Sequence, residues 1–268
     1  MAKAIMAAIA RDVWTGTILA GTVGSTVHGT NISDGIEDHD VMGVCIEPIG
    51  MVVGLTPFEQ FIYRTAVQRE GEHNARSKAG DVDLVIYSLR KYVRLALRGN
   101  PTILTLLFTP NQQCVRLEDE GVMLRGLAPA IVSKKAGGAY LGYMSAQAGR
   151  LLGTRGGQHG AGRPELINKF GYDSKYAAHI IRLGLQGQEL MNTGQLTLPM
   201  TGVNRDFVLD VRNGKVPFGA LARVMADVED DLKAAVKRSP LPEIPDTEAV
   251  ERWLVEAYRN FWSLINKQ

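Results

Sequence analysis

The sequence predicts an α+β protein: a small mixed β-sheet with flanking helices over residues 1–115, followed by a mainly helical domain over 116–268. Three observations predict it. Short apolar runs bounded by turn residues fill the first part, at Thr17–Ala20, Val41–Ile46 and Leu84–Tyr87, and read as buried strands. The second part carries its apolar residues at helical spacing instead. At 268 residues and 45% hydrophobic content, the chain can bury one substantial core with a smaller unit appended.

The first strand, Thr17–Ala20, runs into Gly21, Gly24 and Ser25. Glycines let a backbone approach a triphosphate, a serine hydroxyl can bond a phosphate oxygen, and exposed N–H groups form an anion-binding concavity. Such a turn can hold phosphate, although Gly-Ser after an apolar run is commonly only a turn. The glycine-rich, polar interval from Ser25 to Asp38 leaves little room for a full helix.

Asp38-His39-Asp40 opens the second strand, Val41–Ile46, which ends before Pro48. Residues i and i+2 on a strand share a face about 7 Å apart, so the two carboxylates converge and His39 points away. Converging carboxylates repel unless a cation sits between them, and hard oxygen ligands at this spacing suit Mg²⁺ or Mn²⁺. A third carboxylate comes from Gly80-Asp81-Val82-Asp83, which opens the third strand. Asp81 and Asp83 share a face, and periodicity leaves both as candidates.

Helices follow. Ser88–Gly99 has apolar positions at helical spacing and stops at Gly99-Asn100-Pro101. Leu117–Gln147 and Phe218–Lys237 also read as helices. Tyr172–Met191 is a helix with Lys175, His179 and Arg182 at i, i+4 and i+7, on one stripe. Pro240, Pro242 and Pro245 mark a rigid connector, and Thr247–Asn266 carries an aromatic stripe suited to a core or a homodimer surface.

A net charge of +2 hides an uneven distribution, because Ile131–Arg182 holds eight basic residues against Glu165 and Asp173. That surplus suits a polyanion, a triphosphate or a nucleic acid. The same segment is dense in glycine around Gly153, Gly156, Gly157, Gly160 and Gly162, as in a loop that orders over a substrate. No apolar run reaches the length of a membrane span, and the N-terminus has no secretory signal pattern, so a cytoplasmic location is expected. Cys45 and Cys114 are expected to be reduced thiols, and there is no zinc spacing and no internal repeat.

The Gly24-Ser25 turn, Gly29, Asp38-His39-Asp40 and the Asp83 strand together resemble the nucleotidyltransferase pattern of the DNA polymerase β superfamily. The wider chain is similar to its predicted polymerase-β-like RNA-repair branch, common in bacteria and phages. Tyr87–Tyr92, Gly99-Asn100-Pro101 with Leu106–Phe108, and Lys175 to His179 to Arg182 carry that likeness over most of the chain. Where branch members carry a glutamate after the Asn-Pro turn, this chain has Thr105.

The resemblance implies a nucleotidyltransferase core and an enzyme that moves an NMP from an NTP to a hydroxyl, of RNA, tRNA or another nucleic acid, with release of pyrophosphate. It implies that Asp38 and Asp40 hold two metals and that Asp83, rather than Asp81, completes the site. Gly24 and Ser25 then position the β and γ phosphates, and Lys175, His179 and Arg182 grip phosphate or ribose. Two other expectations compete: a nucleotide-binding module that has lost its chemistry, and a defence or toxin component that attaches a nucleotide to a protein or tRNA.

Overall fold

The computed structural model describes residues 13, 15–32, 39–71, 75, 77, 80–154 and 162–265. Five strands form one mixed sheet: β1 (Thr17–Thr22), β2 (His39–Cys45), β3 (Gln60–Arg64), β4 (Val82–Ser88) and β5 (Cys114–Leu117), in the order β3-β4-β2-β1-β5. β2 runs parallel to β4 and antiparallel to β1, while β3 and β5 close the two edges antiparallel to their neighbours. The protein is therefore α+β, as the sequence predicts.

Strand alternation splits the core in two. On one face Ala20, Val41, Cys45, Val82, Leu84 and Ile86 form a small cluster. On the other, Ile18, Met42, Val44 and Ile46 join a large cluster that continues without a break into the helices. Each fully buried aliphatic side chain contributes about 1.5–3 kcal/mol, so the central strands β1, β2 and β4 hold the sheet rigid where it meets the site.

Short helices decorate the sheet: α1 (Gly24–His28), α2 (Ile49–Val53) and α3 (Thr65–Glu70). Side-chain caps define the next two. Ser88 Oγ accepts from Lys91 N at the start of α4 (Leu89–Leu97), and Asn100 Oδ1 accepts from Thr102 N and Ile103 N at the start of α5 (Pro101–Phe108). Proline at the first position of α5 sacrifices no hydrogen bond, because that N–H has no partner within a helix. Thr105, inside α5, is buried and its hydroxyl bonds Pro101 O at 2.9 Å.

The sequence reads as helical over Leu117–Gln147, and the structure divides this stretch. Leu117 belongs to β5, and the remainder forms three helices: α6 (Asp119–Gly126), α7 (Ala128–Ile131) and α8 (Lys134–Leu151). Pro129 fits only the first turn of a helix, so it starts α7 instead of continuing α6, and extended backbone at Val132 and Ser133 separates α7 from α8. β3 and β5 were not foreseen, each being a short edge strand without a fully buried residue.

Beyond α8 come α9 (Pro164–Phe170), α10 (Ser174–Thr193), α11 (Gly202–Arg212), α12 (Phe218–Arg238) and α13 (Thr247–Ile265). α10 is the centre of this part and packs on α8, α11 and α12. Gly184 and Gly187 let it approach α12 closely, since a methyl at either would press on Val228 or Leu232. The aromatic stripe of α13 is core: Tyr258 is buried, Trp253, Phe261 and Trp262 pack on the large cluster, and Trp262 Nε1 donates to Glu47 O at 2.9 Å. Among the described residues no helix is long and apolar enough to cross a membrane, and both cysteines are free thiols.

Candidate active site

Antiparallel pairing of β1 with β2 brings the end of β1 to the beginning of β2, where Thr22 lies opposite Val41. The Gly24 turn therefore sits directly over Asp40. Val23 N donates to Asp40 O at 2.9 Å, and the open side of Gly24 faces the Asp40 carboxylate so closely that a methyl there would overlap Oδ2.

Parallel pairing of β2 with β4 then makes Asp83 the register partner of Asp40, and His39 the partner of Val82. This geometry separates the two aspartates that periodicity leaves equivalent. Asp81 precedes β4, is buried, and is gripped by Arg69 through both oxygens at 2.7 and 3.0 Å. Asp83 stands beside Asp40 on the half-exposed face of β4.

The two oxygens of Asp83 differ. Oδ2 accepts from Arg64 Nε at 3.2 Å and from Ser77 Oγ at 3.1 Å, Arg64 being its register partner on β3. Oδ1 is buried and has no hydrogen-bond partner. An orphaned carboxylate oxygen next to a second aspartate fits a divalent cation, whose preferred donors are such oxygens. Asp38 lies outside the described residues, and among those described no three acidic, histidine or cysteine side chains form a metal cluster by themselves. Among the described residues, Asp40 and Asp83 are the two carboxylates that the strand register places side by side.

A cationic group meets the end of α1. Asp173 caps α10 by accepting from Lys175 N and Tyr176 N, and burial of Ala177, Ile181 and Gly184 against its neighbours fixes which face the helix presents. One stripe of α10 then presents Lys175, exposed, and His179 and Arg182, half-buried. Arg182 reaches the sheet domain: its Nη1 lies 2.8 Å from Nε2 of His28, the last residue of α1, and donates to Gln186 Oε1 at 2.8 Å. Burial pulls the Arg182 pKa down to about 10. Burial, reinforced by Arg182, Lys175 and Arg150, pulls His179 down to about 3, so its imidazole is neutral at physiological pH.

α1 is a single turn, so the serine at its second position and His28 at its end are neighbours. Gly24 at its start meets Asp40, and His28 at its end meets Arg182. The chain after α10 locks this contact, because Met200 N donates to His28 O at 3.1 Å and Arg205 Nε donates to Gly29 O at 2.8 Å. The central residues of the glycine-rich loop, 155–161, lie outside the described residues. Its far end is anchored: Arg163 donates to Asp173 through both its backbone N and its guanidinium, at 2.8 and 3.0 Å.

Sequence reasoning missed His28, Gln186, Arg64 and Ser77. His28 stands three residues after Ser25, and Gln186 extends the α10 stripe by one turn, so spacing could have flagged both. Arg64 ends the short edge strand Gln60–Arg64, which carries no clear alternation in sequence. Nothing in the sequence signals Ser77.

A family model described as the RNA repair pathway DNA polymerase beta family matches residues 1–256. Over 65 residues the chain is 40% identical to an uncharacterized 38.9 kDa protein of the nrdC-mobD intergenic region of Enterobacteria phage T4. That alignment covers 24% of this chain and 19% of the phage protein. A crystal structure of a nucleotidyltransferase-like protein from Exiguobacterium sibiricum 255-15 aligns over 96% of this chain and 78% of its own, at 10% identity and a TM-score of 0.31. A likeness that loose carries nothing about the site.

Proposed function

The chain belongs to the RNA repair pathway DNA polymerase beta family, and from that premise we propose that it is a metal-dependent enzyme that moves an NMP from an NTP to a hydroxyl of a nucleic acid and releases pyrophosphate. Family membership indicates a polymerase-β-like nucleotidyltransferase. The observation that carries the finer reading is the register pairing of Asp40 with Asp83, whose Oδ1 is buried without a partner. A neutral orphan of that kind costs roughly 1–3 kcal/mol, and an ionised one more, which a bound cation would offset.

In this reading Asp40 and Asp83, with Asp38, hold Mg²⁺ or Mn²⁺, which supplies Lewis-acid charge to the phosphate oxygens. Arg64 and Ser77 keep Asp83 oriented through Oδ2. Asp83 takes the proton of the acceptor hydroxyl, the acceptor oxygen bonds the α-phosphorus, and the bond to pyrophosphate breaks. The Gly24–Ser25 turn bonds the β and γ phosphates, and Arg182 and Lys175 offset the charge that pyrophosphate carries away. His179, held neutral, contributes a hydrogen bond and no charge. An RNA acceptor is supported by the family's repair description and by the basic surplus of Ile131–Arg182.

The test is pyrophosphate release from each NTP and dNTP with Mg²⁺ or Mn²⁺, with and without total tRNA. Wild type is expected to release it in a metal-dependent way, and Asp40→Ala or Asp38→Ala with Asp40→Ala is expected to lose turnover while keeping its melting curve. Undiminished release by the folded double variant would sink the reading.

A further inference from the structure

His28 is almost wholly enclosed, at 4% exposure, and a polar side chain lies against each of its ring nitrogens. Arg182 Nη1 lies 2.8 Å from Nε2, and Gln186 Nε2 lies 3.1 Å from Nδ1. A guanidinium has only donors, so Nε2 must accept from it; the neutral ring then carries its proton on Nδ1, which therefore packs against the Gln186 amide nitrogen without accepting from it. With Nε2 accepting from Arg182 and Nδ1 covered by Gln186, His28 turns no edge to a ligand. What it does touch is the Nη1 end of Arg182. Nη1 is also bound to Gln186 Oε1, whereas the Nε and Nη2 edge has no protein acceptor among the described residues. That edge is the one that forks two oxygens of a single phosphate.

Placement adds a second constraint. Ser25 and His28 are three positions apart on α1, so their side chains stand about 5–6 Å apart on one side of the turn. An arginine tied to His28 is therefore held within reach of whatever Ser25 holds. Burial, then the nearby charge of Arg182, keeps the imidazole well below its ordinary pKa, which preserves Nε2 as an acceptor.

We propose that His28 is a positioning residue: by accepting from Nη1 it turns the free edge of Arg182 toward the phosphates gripped by the Gly24–Ser25 turn, coupling the sheet domain to α10 at the triphosphate. This rests on the reading of Arg182 as a phosphate ligand. A histidine that merely satisfied its own pocket would leave ligand affinity untouched when replaced by any side chain that preserves folding.

The experiment uses the full chain and tripolyphosphate with Mg²⁺, titrated calorimetrically, so that no base or acceptor is needed. Glutamine can place its Oε1 near the position of Nε2, and asparagine only near that of Nδ1. His28→Gln is expected to bind within about threefold of wild type. His28→Asn is expected to lose about tenfold, the scale of one hydrogen bond to a charged group. Arg182→Gln should lose at least as much, and adding His28→Asn to it should lose nothing further. Both replacements are small and polar, and melting curves report whether they fold. Should His28→Asn unfold, Gln186→Met tests the same orientation from the second partner, with a loss of affinity again expected. Equal affinity of wild type, His28→Gln and His28→Asn, or losses that multiply in the double variant, would overturn the assignment, as would failure of wild type to bind tripolyphosphate. Binding that follows this pattern in a protein that never releases pyrophosphate from an NTP would leave the positioning role standing and remove the transferase reading. Pyrophosphate release with affinity indifferent to Arg182 would do the reverse.

Discussion

Gly24→Ala separates backbone cost from site geometry, because the chain supplies its own control. Gly24 has φ of +71° and Gly71 has φ of +73°, so an alanine at either meets the same left-handed strain. That strain is about 1–2 kcal/mol, offset by roughly 0.4–1 kcal/mol from a less flexible unfolded chain, which leaves about 1 kcal/mol of destabilisation at each position. The surroundings differ. A Cβ at Gly71 meets nothing within 4 Å, whereas one at Gly24 lands 3.0 Å from Asp40 Cγ and overlaps Oδ2. The carboxylate must swing aside by about an ångström, and a displacement of that size can cost a hundredfold in rate. Urea melts of the two variants are therefore expected to show comparable losses, and pyrophosphate release is expected to fall about a hundredfold in Gly24→Ala alone. Turnover of Gly24→Ala within about threefold of wild type would refute the reasoning, as would an equal loss in Gly71→Ala.

Acid should destabilise the fold through its buried histidines. His179 titrates at about 3 when folded against 6.5 as the ordinary value, and His28 is lowered as well, so below 6.5 the unfolded chain binds protons that the folded one refuses. Stability is then complete above that value and falls as pH drops; at pH 5 His179 alone costs about 2 kcal/mol, at roughly 1.4 kcal/mol per pH unit. Urea midpoints at pH 7 and pH 5 should differ by less in His179→Gln than in wild type, and an unchanged difference would count against the buried, neutral imidazole. Arg64→Met is expected to reduce turnover strongly with little loss of stability, because the Arg64–Asp83 pair is partly solvent-screened, with side chains 31% and 24% exposed; such pairs contribute about 1 kcal/mol or less. A variant with normal turnover would show that Asp83 needs no orienting partner.

The interior strands β1 and β2 were legible because each carries an apolar run closed by a turn, as in Val41–Ile46, and burial on both faces writes that pattern directly into sequence; β4, half-exposed on one face, was legible from its apolar run Leu84–Tyr87. The edge strands were not. Gln60–Arg64 and Cys114–Leu117 are short and only half-buried, so neither composition nor alternation sets them apart from loop. The helical character of Leu117–Gln147 was legible but its division was not: apolar periodicity continues through Pro129, and a periodicity reading does not register the missing N–H that breaks the helix there. α10 and α12 fall where helical spacing predicts them, within about two residues at each end, the usual uncertainty of helix boundaries.

Local chemistry alone determined the parts list: a turn that can bond phosphate at Gly24 and Ser25, aspartates at strand openings, and a cationic stripe on one helix. These follow from periodicity and from what each side chain can donate or accept, and both are properties of neighbours in sequence. Which parts meet is a matter of register and packing. Asp83 faces Asp40 because β2 and β4 pair in parallel with those residues opposite, and shifting one strand by a single residue would present Val82 in its place. Arg182 reaches His28, 154 positions away in sequence, because the cap at Asp173 and the packing of α10 between α8 and α12 fix that helix's rotation. Contacts of that range are chosen by the burial of the whole core, so only the tertiary structure decided them.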